Sequence, residues 1–407
     1  MVLAGVIAAI ALRGYGTRYK IWHAMTVGAL LVIFFGFYSP VQALEAINLD
    51  IVIFLFCLFV VGEALERSGY LGQLAAWLYG KAKSVDNIVL LTMFGIGIIS
   101  AILMNDVLAI VGTPLILLIA TRNKVSSKPL LFGLAFAVTI GGAMSPIGNP
   151  QNLLVAVNGG LADPFVTFAR YLILPTMVNL LIAYLWLKFV FKEEFRKPAE
   201  IDHVVVIKDP YLAKLCKVSL ILLLVMISLK IALVTVGLGS DFRLTYIALV
   251  SAAPILLFAK NRAVLVRNID WGTLIFFASL FILMSAVWDS GLLQSMIYRT
   301  EFNLLAIPVI LLLGVLLSQV MCNVPLVALY LPILLGLGAG TRELMALVAG
   351  STIAGNFLII GAASNLIILQ SAEKHGDRGI RFLEFAKVGA PLTLMNIAVY
   401  WLFLTFL

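Results

Sequence analysis

Charged residues are scarce in this sequence. They make up 12% of its 407 residues, against about 25% in an average soluble domain. Hydrophobic residues make up 62%, and the mean hydropathy is +1.10. This composition excludes a soluble globular domain. Apolar runs of about 20 residues, the length of helix that crosses a bilayer, recur along the chain and predict an all-α polytopic membrane protein.

Cysteine is scarce too. Cys57, Cys216 and Cys322 lie in or beside apolar segments, and their spacing matches neither a disulfide framework nor a metal site. The chain offers no constellation of paired acids, histidines or cysteines at membrane depth, which argues against a membrane-embedded enzyme. No cofactor is expected other than a bound ion such as sodium.

The net charge of +8 reflects membrane topology. Lysine and arginine gather in a few short loops, among them 13–20, 122–128 and 260–267, and such loops stay on the cytoplasmic side. The sequence therefore predicts a multi-pass protein of the cytoplasmic (inner) membrane, whose partners are lipid and a small solute or ion and not a nucleic acid. Val2 to Leu12 is expected to form a short first membrane helix.

The second half of the chain repeats the first. GGAMSPIGNPQNLLV at 141–155 aligns with AGNFLIIGAASNLII at 354–368 at one offset of 213 residues, the distance from Asn152 to Asn365. SAILMNDVLAIVGTPL at 100–115 aligns with SQVMCNVPLVALYLPI at 318–333 at an offset of 218. The repeats are predicted to span 1–191 and 213–407, joined by a cytoplasmic linker at 192–212. Because each repeat is expected to cross the membrane an odd number of times, the two copies have opposite, inverted topologies.

Each repeat carries a broken transmembrane helix at a corresponding place. Pro146 and Pro150 interrupt the first apolar segment, and Gly148 and Gly361 permit turns that other residues resist. A helix broken within a bilayer leaves backbone carbonyls and N–H groups without partners unless protein, water or a bound solute satisfies them. We therefore expect a solute site at the two breaks. Inverted repeats with such breaks are typical of secondary transporters.

Each repeat also has two apolar arms joined by a very short tip, MND at 104–106 and MCN at 321–323. Because no polar loop separates the arms, a re-entrant helical hairpin is the simplest interpretation. Arms of about 16 to 20 residues are also long enough for full crossings. Both alternatives return the chain to the same side of the membrane.

Asp106 is an ionisable residue at membrane depth, which makes it a functional candidate by default. It is predicted to bind a sodium ion or to carry a coupling proton. The alternative role is to cap a helix that begins at Val107. A fixed carboxylate repels a multiply charged anion, which favours a cation or a neutral oxyacid such as arsenite as the solute.

The tips and breaks together supply the predicted site. Asn105 and Asn323 correspond across the repeat, and helix-to-helix hydrogen bonding is the alternative role for both. Cys322 is either a soft ligand or a small packing residue. If sodium is the coupling ion, it is expected at Asn105, Asp106 and Asn149. The predicted substrate- and ion-binding residues are Asn105, Asp106, Ser145, Gly148, Asn149, Gln151, Asn152, Cys322, Asn323, Gly361, Ser364 and Asn365.

The Asn-centred tips and the two G-x-x-x-N breaks resemble the ion transporter superfamily, which includes arsenite permeases, divalent anion/sodium symporters and NhaD-type sodium/proton antiporters. The likeness is nearest to the YbiR-type branch and covers nearly the whole chain. It implies a homodimer in which a scaffold domain and a moving transport domain, each built from parts of both repeats, work as an elevator. Asn105 and Asn323 match the asparagine of the symporters' Ser-Asn-Thr tips. The hydroxyl residues beside it, which bind dicarboxylates, are replaced here by Met104, Asp106, Cys322 and Val324.

These features predict a secondary active transporter for a small inorganic ion or oxyacid, arsenite-like or anionic, coupled to protons or sodium. A sodium/proton antiporter is the alternative within the same class. A passive ion channel is the alternative from another class, and it would need a continuous polar pathway that no segment suggests.

Overall fold

A computed structural model describes residues 21–80, 82–199, 207–235, 242–291, 303–374, 377 and 380–406. Within these ranges the chain is helical, and its β-structure is a single isolated bridge between Ser84 and Pro198. The predicted all-α class is confirmed. The expected short helix from Val2 to Leu12 lies outside the described residues.

The first half of the chain provides the helices that lead to and form the first break. The fifth includes a π-helical turn, Thr92–Ile96. The helices are α1 (Ile21–Phe34), α2 (Pro40–Glu45), α3 (Leu49–Ser68), α4 (Tyr70–Tyr79), α5 (Val85–Ser100), α6 (Asn105–Asn123), α7 (Ser127–Gly142), α8 (Pro150–Asn158), α9 (Pro164–Val190) and α10 (Lys192–Phe195).

The second half follows the same order. A 3₁₀ turn, Ile359–Gly361, lies in the second break. The helices are α11 (Pro210–Thr235), α12 (Leu244–Phe258), α13 (Arg262–Asn268), α14 (Trp271–Asp289), α15 (Ile307–Met321), α16 (Asn323–Gly336), α17 (Thr341–Phe357), α18 (Ala363–Lys374) and α19 (Phe382–Phe406).

Local sequence signals fix several helix ends. Asn48 caps α3 through its side-chain oxygen, and Gly69 ends α3 in the left-handed conformation with φ 76°. Asp163 caps α9, with Pro164 in the first helical position. At the predicted linker, α10 occupies the first residues after 191 and α11 begins at Pro210, slightly before the expected boundary at 213.

Five described helices are long and apolar enough to cross a membrane: α6, α9, α11, α14 and α19. Their outer faces carry exposed apolar side chains, such as Leu224 and Val225 on α11 and Leu402 on α19. Exposure of this much apolar area to water is unfavourable, whereas its contact with lipid is favourable. The prediction of a polytopic membrane protein is therefore confirmed.

The helices pack into two groups. The first group holds α1, α3 and α11–α14, with α3 against α12 and α1 against α14. The second group holds α5–α9 and α15–α19, with α6 against α18, α8 against α16, α7 against α17 and α9 against α19. Each of these pairs joins a helix of the first repeat to a helix of the second. If every helix is replaced by its equivalent in the other repeat, each pair becomes either itself or another of these pairs. A two-fold relation between the repeats produces this pattern, which is consistent with the predicted inverted repeats.

A buried ladder of amides joins three helices of the second group. Asn356 on α17 donates from Nδ2 to Oδ1 of Asn396 on α19 at 3.2 Å, and Asn396 donates to Oδ1 of Asn179 on α9 at 2.9 Å. All three side chains are fully buried. The ladder therefore ties the helix before the second break to the crossing of α9 and α19.

Candidate functional site

The first break lies between the end of α7 at Gly142 and the start of α8 at Pro150. Asn152 holds it closed, because its Nδ2 donates to the carbonyl oxygens of Gly142 and Ser145, each at 2.9 Å. A Cβ atom on Gly148 would lie 2.3 Å from the Gly142 carbonyl oxygen. Only glycine fits at position 148, because the backbone of the break folds back on itself there.

The second break, between α17 and α18, is braced in the same way. Asn365 donates from Nδ2 to the carbonyl oxygen of Gly355 at 2.5 Å, ten residues upstream, just as Asn152 does to Gly142. A Cβ atom on Gly361 would lie 2.5 Å from the carbonyl oxygen of Ala354. The amide nitrogens of both asparagines thus hold the backbone, and only their oxygens remain for other contacts.

The tips lie next to the breaks. The backbone N–H of Asn105, at the start of α6, donates to the carbonyl oxygen of Gly148 at 3.3 Å. The first hairpin therefore turns beside the first break, which is consistent with the predicted re-entrant hairpin. In the second tip α16 begins at Asn323, directly after Cys322, whose φ of 68° is a strained value for a residue other than glycine.

Thr352 on α17 links the first break to the second repeat. Its Oγ1 donates to Oδ1 of Asn152 at 3.2 Å, and the amide nitrogens of Asn149 and Gln151 each lie 3.5 Å from the same Oγ1. Thr352 is 1% exposed. The sequence analysis missed this residue, and the only signal that points to it is that Thr139 precedes it by the repeat offset of 213.

Buried oxygens without a hydrogen-bond partner gather at the tips and breaks. In native proteins such atoms are rare, because each costs about 1–3 kcal/mol. Gln319, within the SQVMCN motif, and Thr139 of α7 are two such residues that the sequence analysis missed. In the described part of the chain the oxygens at these places are Asn105 Oδ1, Thr139 Oγ1, Asn149 Oδ1, Gln319 Oε1, Asn323 Oδ1, Ser364 Oγ and Asn365 Oδ1.

Asp106 lies in the first turn of α6 and is half-buried. The alternative N-cap role for Asp106 is wrong, because α6 already begins at Asn105 and no side chain caps it. A carboxylate in the first turn is still stabilised by the helix dipole. Among the described residues Asp270, at the start of α14, acts on Asp106 electrostatically. Val107 packs against Gly62 of α3, so Asp106 lies where the two helix groups meet.

Two cavities lie among the described residues, and neither is lined by the predicted residues as a group. A cavity of about 620 Å³ lies between the two helix groups, bounded by α2 and α14 on one side and by α8 and α16 on the other. Of the predicted residues, Asn365 alone borders a described cavity, a separate one of about 10 Å³. The polar groups instead lie at the two breaks. Thr352 of α17 is hydrogen-bonded to residues of the first break, and Thr139 of α7 lies beside Gly355 at the second. The polar and aromatic residues that line this 620 Å³ cavity include Tyr38, Gln42, Glu45, Asn158, Ser285, Trp288 and Asp289.

Comparison with known proteins places this geometry in a family. A family model described as citrate transporter (CitMHS) matches residues 7–343. The 46 kDa membrane protein of Mycobacterium leprae is 26% identical over 377 residues, which cover 88% of this chain and 86% of that protein. A Dictyostelium discoideum protein named as an arsB transporter is 22% identical over 483 aligned positions, covering 92% and 85%. The crystal structure of the YdaH transporter from Alcanivorax borkumensis matches with a TM-score of 0.57 at 14% identity, covering 92% of this chain and 87% of that one, which shows a shared fold.

Proposed function

The chain belongs to the citrate transporter family, CitMHS, within the ion transporter superfamily, and on that basis we propose that it is a secondary active transporter of a small anion or oxyacid, coupled to protons or sodium. The matched family and several of the matched relatives are named transporters, and none of the names reported above is that of an enzyme. Membership of the family confirms the resemblance found in the sequence. The solute, the coupling ion and the mechanism are the proposed part.

The observation that carries the proposal is the set of unpartnered buried oxygens at the tips and breaks. Four of them are amide oxygens of asparagines at the tips and breaks, on Asn105, Asn149, Asn323 and Asn365. Oxygen atoms of this kind suit a cation, while the partial positive charge at the N-terminal ends of α6, α8, α16 and α18 suits an anion or a polar oxygen. A site with both kinds of group supports the joint binding of a solute and a coupling ion.

An elevator motion is supported by the way the helices are grouped. The group that holds both breaks and both tips, α5–α9 with α15–α19, contacts the other group at few places, such as α14 against α16 and α3 against α8. The 620 Å³ cavity lies along this boundary. The distribution of basic loops indicates that the walls of this cavity lie towards the outer side of the membrane. We assign the first group as scaffold and the second as the moving transport domain.

Asp106 is the proposed coupling residue. It lies beside the first tip, is half-buried, and faces the boundary between the groups near Asp270. A carboxylate there binds sodium when ionised or carries a proton when neutral. If Asp106 exchanges sodium for protons with no other solute, the protein is a sodium/proton antiporter, which is the second candidate function.

The solute class follows from the tips. Met104 and Cys322 stand before the tip asparagines, where the resembling symporters carry hydroxyl residues. Dicarboxylates and citrate would therefore find fewer hydrogen-bond donors at both tips here than in those symporters. A neutral oxyacid or a singly charged anion needs fewer donors and meets less repulsion from Asp106, so we favour it over citrate.

Uptake into liposomes tests the proposal. The purified protein is reconstituted, a sodium or a proton gradient is imposed, and accumulation of radiolabelled arsenite, phosphate, sulfate and citrate is followed. Concentrative uptake that stops when the gradient is collapsed supports a coupled transporter. Flux that only equalises concentrations identifies a channel, and proton movement driven by sodium without any solute identifies the antiporter. We also propose a homodimer, which light scattering of the purified protein tests.

A further inference from the structure

The 620 Å³ cavity towards the outer side of the membrane is separate from the candidate solute site. Among the described residues that line it there is no tip or break residue predicted to bind solute. One wall is built by α2 and the last turns of α14, and the opposite wall by the second half of α8 and the later turns of α16. The volume falls within the range of about 300–1,000 Å³ that is usual for sites that bind organic molecules.

The charged side chains that line this cavity are all of one sign. Glu45, at the end of α2, and Asp289, at the end of α14, line it, whereas no lysine, arginine or histidine does so among the described residues. Tyr38 donates a hydrogen bond to the Asp289 carboxylate, which holds this group in place without neutralising its charge. Two carboxylates with no basic residue in the same wall attract a cation and repel an anion.

The other side chains favour an organic cation over a metal ion. Tyr38, Phe281 and Trp288 contribute aromatic rings to the wall, and Met284 contributes a thioether. The faces of aromatic rings attract cations, and protein sites for quaternary amines use such rings. A metal ion such as calcium needs a close shell of oxygen ligands, which a wall of mostly apolar side chains does not provide.

The walls of the cavity belong to both helix groups. Beside it, Val287 of α14 packs against Leu329 of α16 in a small apolar cluster that is separate from the main core. Asn48, the cap of α3, donates from Nδ2 to Oδ1 of Asn158, at the end of α8, at 3.1 Å. These contacts must break or slide if the groups move past each other. A molecule in the cavity contacts both groups and therefore favours their present arrangement.

We propose that the 620 Å³ cavity binds an amphipathic organic cation, a protonated or quaternary amine or a similar ion with an apolar body, and that such a ligand hinders the movement of the two helix groups. The carboxylates of Glu45 and Asp289 attract the charge, and the aromatic rings contact the apolar body. The hindrance of movement rests on the proposed function, whereas binding does not.

Two probes of similar shape and opposite charge test the site. Tetraphenylphosphonium is an aromatic cation, and tetraphenylborate is an anion of nearly the same size. The binding of each radiolabelled probe to the purified full-length protein in non-ionic detergent is measured by equilibrium dialysis, and the uptake by protein-free micelles is subtracted. We expect saturable binding of tetraphenylphosphonium and none of tetraphenylborate.

Changes in the wall should weaken the binding of tetraphenylphosphonium. The double change Glu45→Gln and Asp289→Asn removes both charges, nearly keeps the side-chain shapes, and should weaken binding about tenfold. Trp288→Leu should weaken it about two- to fivefold, because one aromatic face is lost. Glu343→Gln is the matched control, since Glu343 does not line the cavity and glutamine can still accept from the Gly340 N–H at the start of α17. This variant should bind the probe as the unmodified protein does.

Equal binding of the two probes by the unmodified protein overturns the site. Undiminished binding of tetraphenylphosphonium by both the double variant and Trp288→Leu also overturns it, as does a tenfold loss in Glu343→Gln. If Trp288→Leu does not fold, Leu335→Lys replaces it, because Leu335 is an exposed residue of the wall and a lysine there should repel the cation.

Uptake into liposomes separates binding from its effect on transport. Tetraphenylphosphonium should slow solute uptake by the unmodified protein but not by the double variant, which also controls for any effect of the probe on the membrane potential. Equal slowing of both proteins refutes the hindrance of movement. Charge-dependent binding by a protein that concentrates no solute refutes the transport proposal alone, whereas concentrative uptake without charge-dependent binding refutes the new site alone.

Discussion

Replacing Gly148 by alanine is expected to disrupt the first break without removing any polar group. The added Cβ would lie 2.3 Å from the carbonyl oxygen of Gly142 and 2.9 Å from its Cα, whereas real Cβ contacts stay beyond 3.0 Å. The clash is with backbone, so no side-chain rotation relieves it. Overpacking of this kind costs about 1–3 kcal/mol, and relief by movement displaces the carbonyl oxygens that Asn152 holds.

The Tm in detergent and solute uptake in liposomes measure the two consequences. Gly133→Ala is the control, since it lies in α7, is also buried, and its added Cβ would be 3.5 Å from Val89. That change should be neutral or stabilise α7 by up to about 1 kcal/mol, because alanine favours helix over glycine. We expect Gly148→Ala to lower the Tm and abolish uptake. If Gly148→Ala is as stable and as active as Gly133→Ala, the close fold of the break is wrong.

Three further changes test other parts of the structure. Asp106→Asn should abolish ion-coupled accumulation and leave the Tm in detergent near that of the unmodified protein; accumulation with unchanged ion dependence would rule out Asp106 as the coupling residue. Asn396→Leu removes the centre of the buried amide ladder and should cost about 1–3 kcal/mol, because Asn179 and Asn356 each lose a partner. A double change with Asn179→Leu should cost less than the sum of the single changes, and strict additivity of the Tm losses would contradict the ladder. Partial burial of Glu194 works against its charged form, but hydrogen bonds from Lys197 and from the Ser126 N–H hold the pKa of Glu194 below its ordinary value. Its stabilisation is present above the pKa of the unfolded chain and is lost as the pH falls through the folded value, so a Tm deficit of Glu194→Gln at neutral pH should disappear in acid. A deficit that does not change with pH would contradict this assignment.

The pattern of apolar and polar residues along the sequence was enough to identify the membrane class, the two repeats and the positions of the breaks. In a bilayer a break such as SPIGNPQN is tolerated only inside protein. The prolines at 146 and 150 and the glycines at 148 and 361 therefore marked the breaks without any knowledge of neighbouring helices. The same logic marked Asn105 and Asn323 at the tips.

Local sequence was less informative about individual roles. The helix after the first tip begins at Asn105 and not at Val107, so Asp106 lies in its first turn and does not cap it. Asn152 and Asn365, predicted as ligands, use their nitrogens to brace the breaks. These roles depend on backbone carbonyls ten residues away, which residue type alone does not reveal.

By itself, the sequence determined that two equivalent broken helices exist, because hydrophobicity, proline and glycine act through the chain's own backbone. The tertiary structure alone decided that Thr352 is hydrogen-bonded to the first break, whereas Thr139 Oγ1 has no partner in the described part of the chain. That difference arises from side chains of opposite repeats, at least 200 residues apart in sequence, which meet only when α7 packs against α17. Whether a buried oxygen has a partner is a property of such long-range contacts, and no local pattern encodes it.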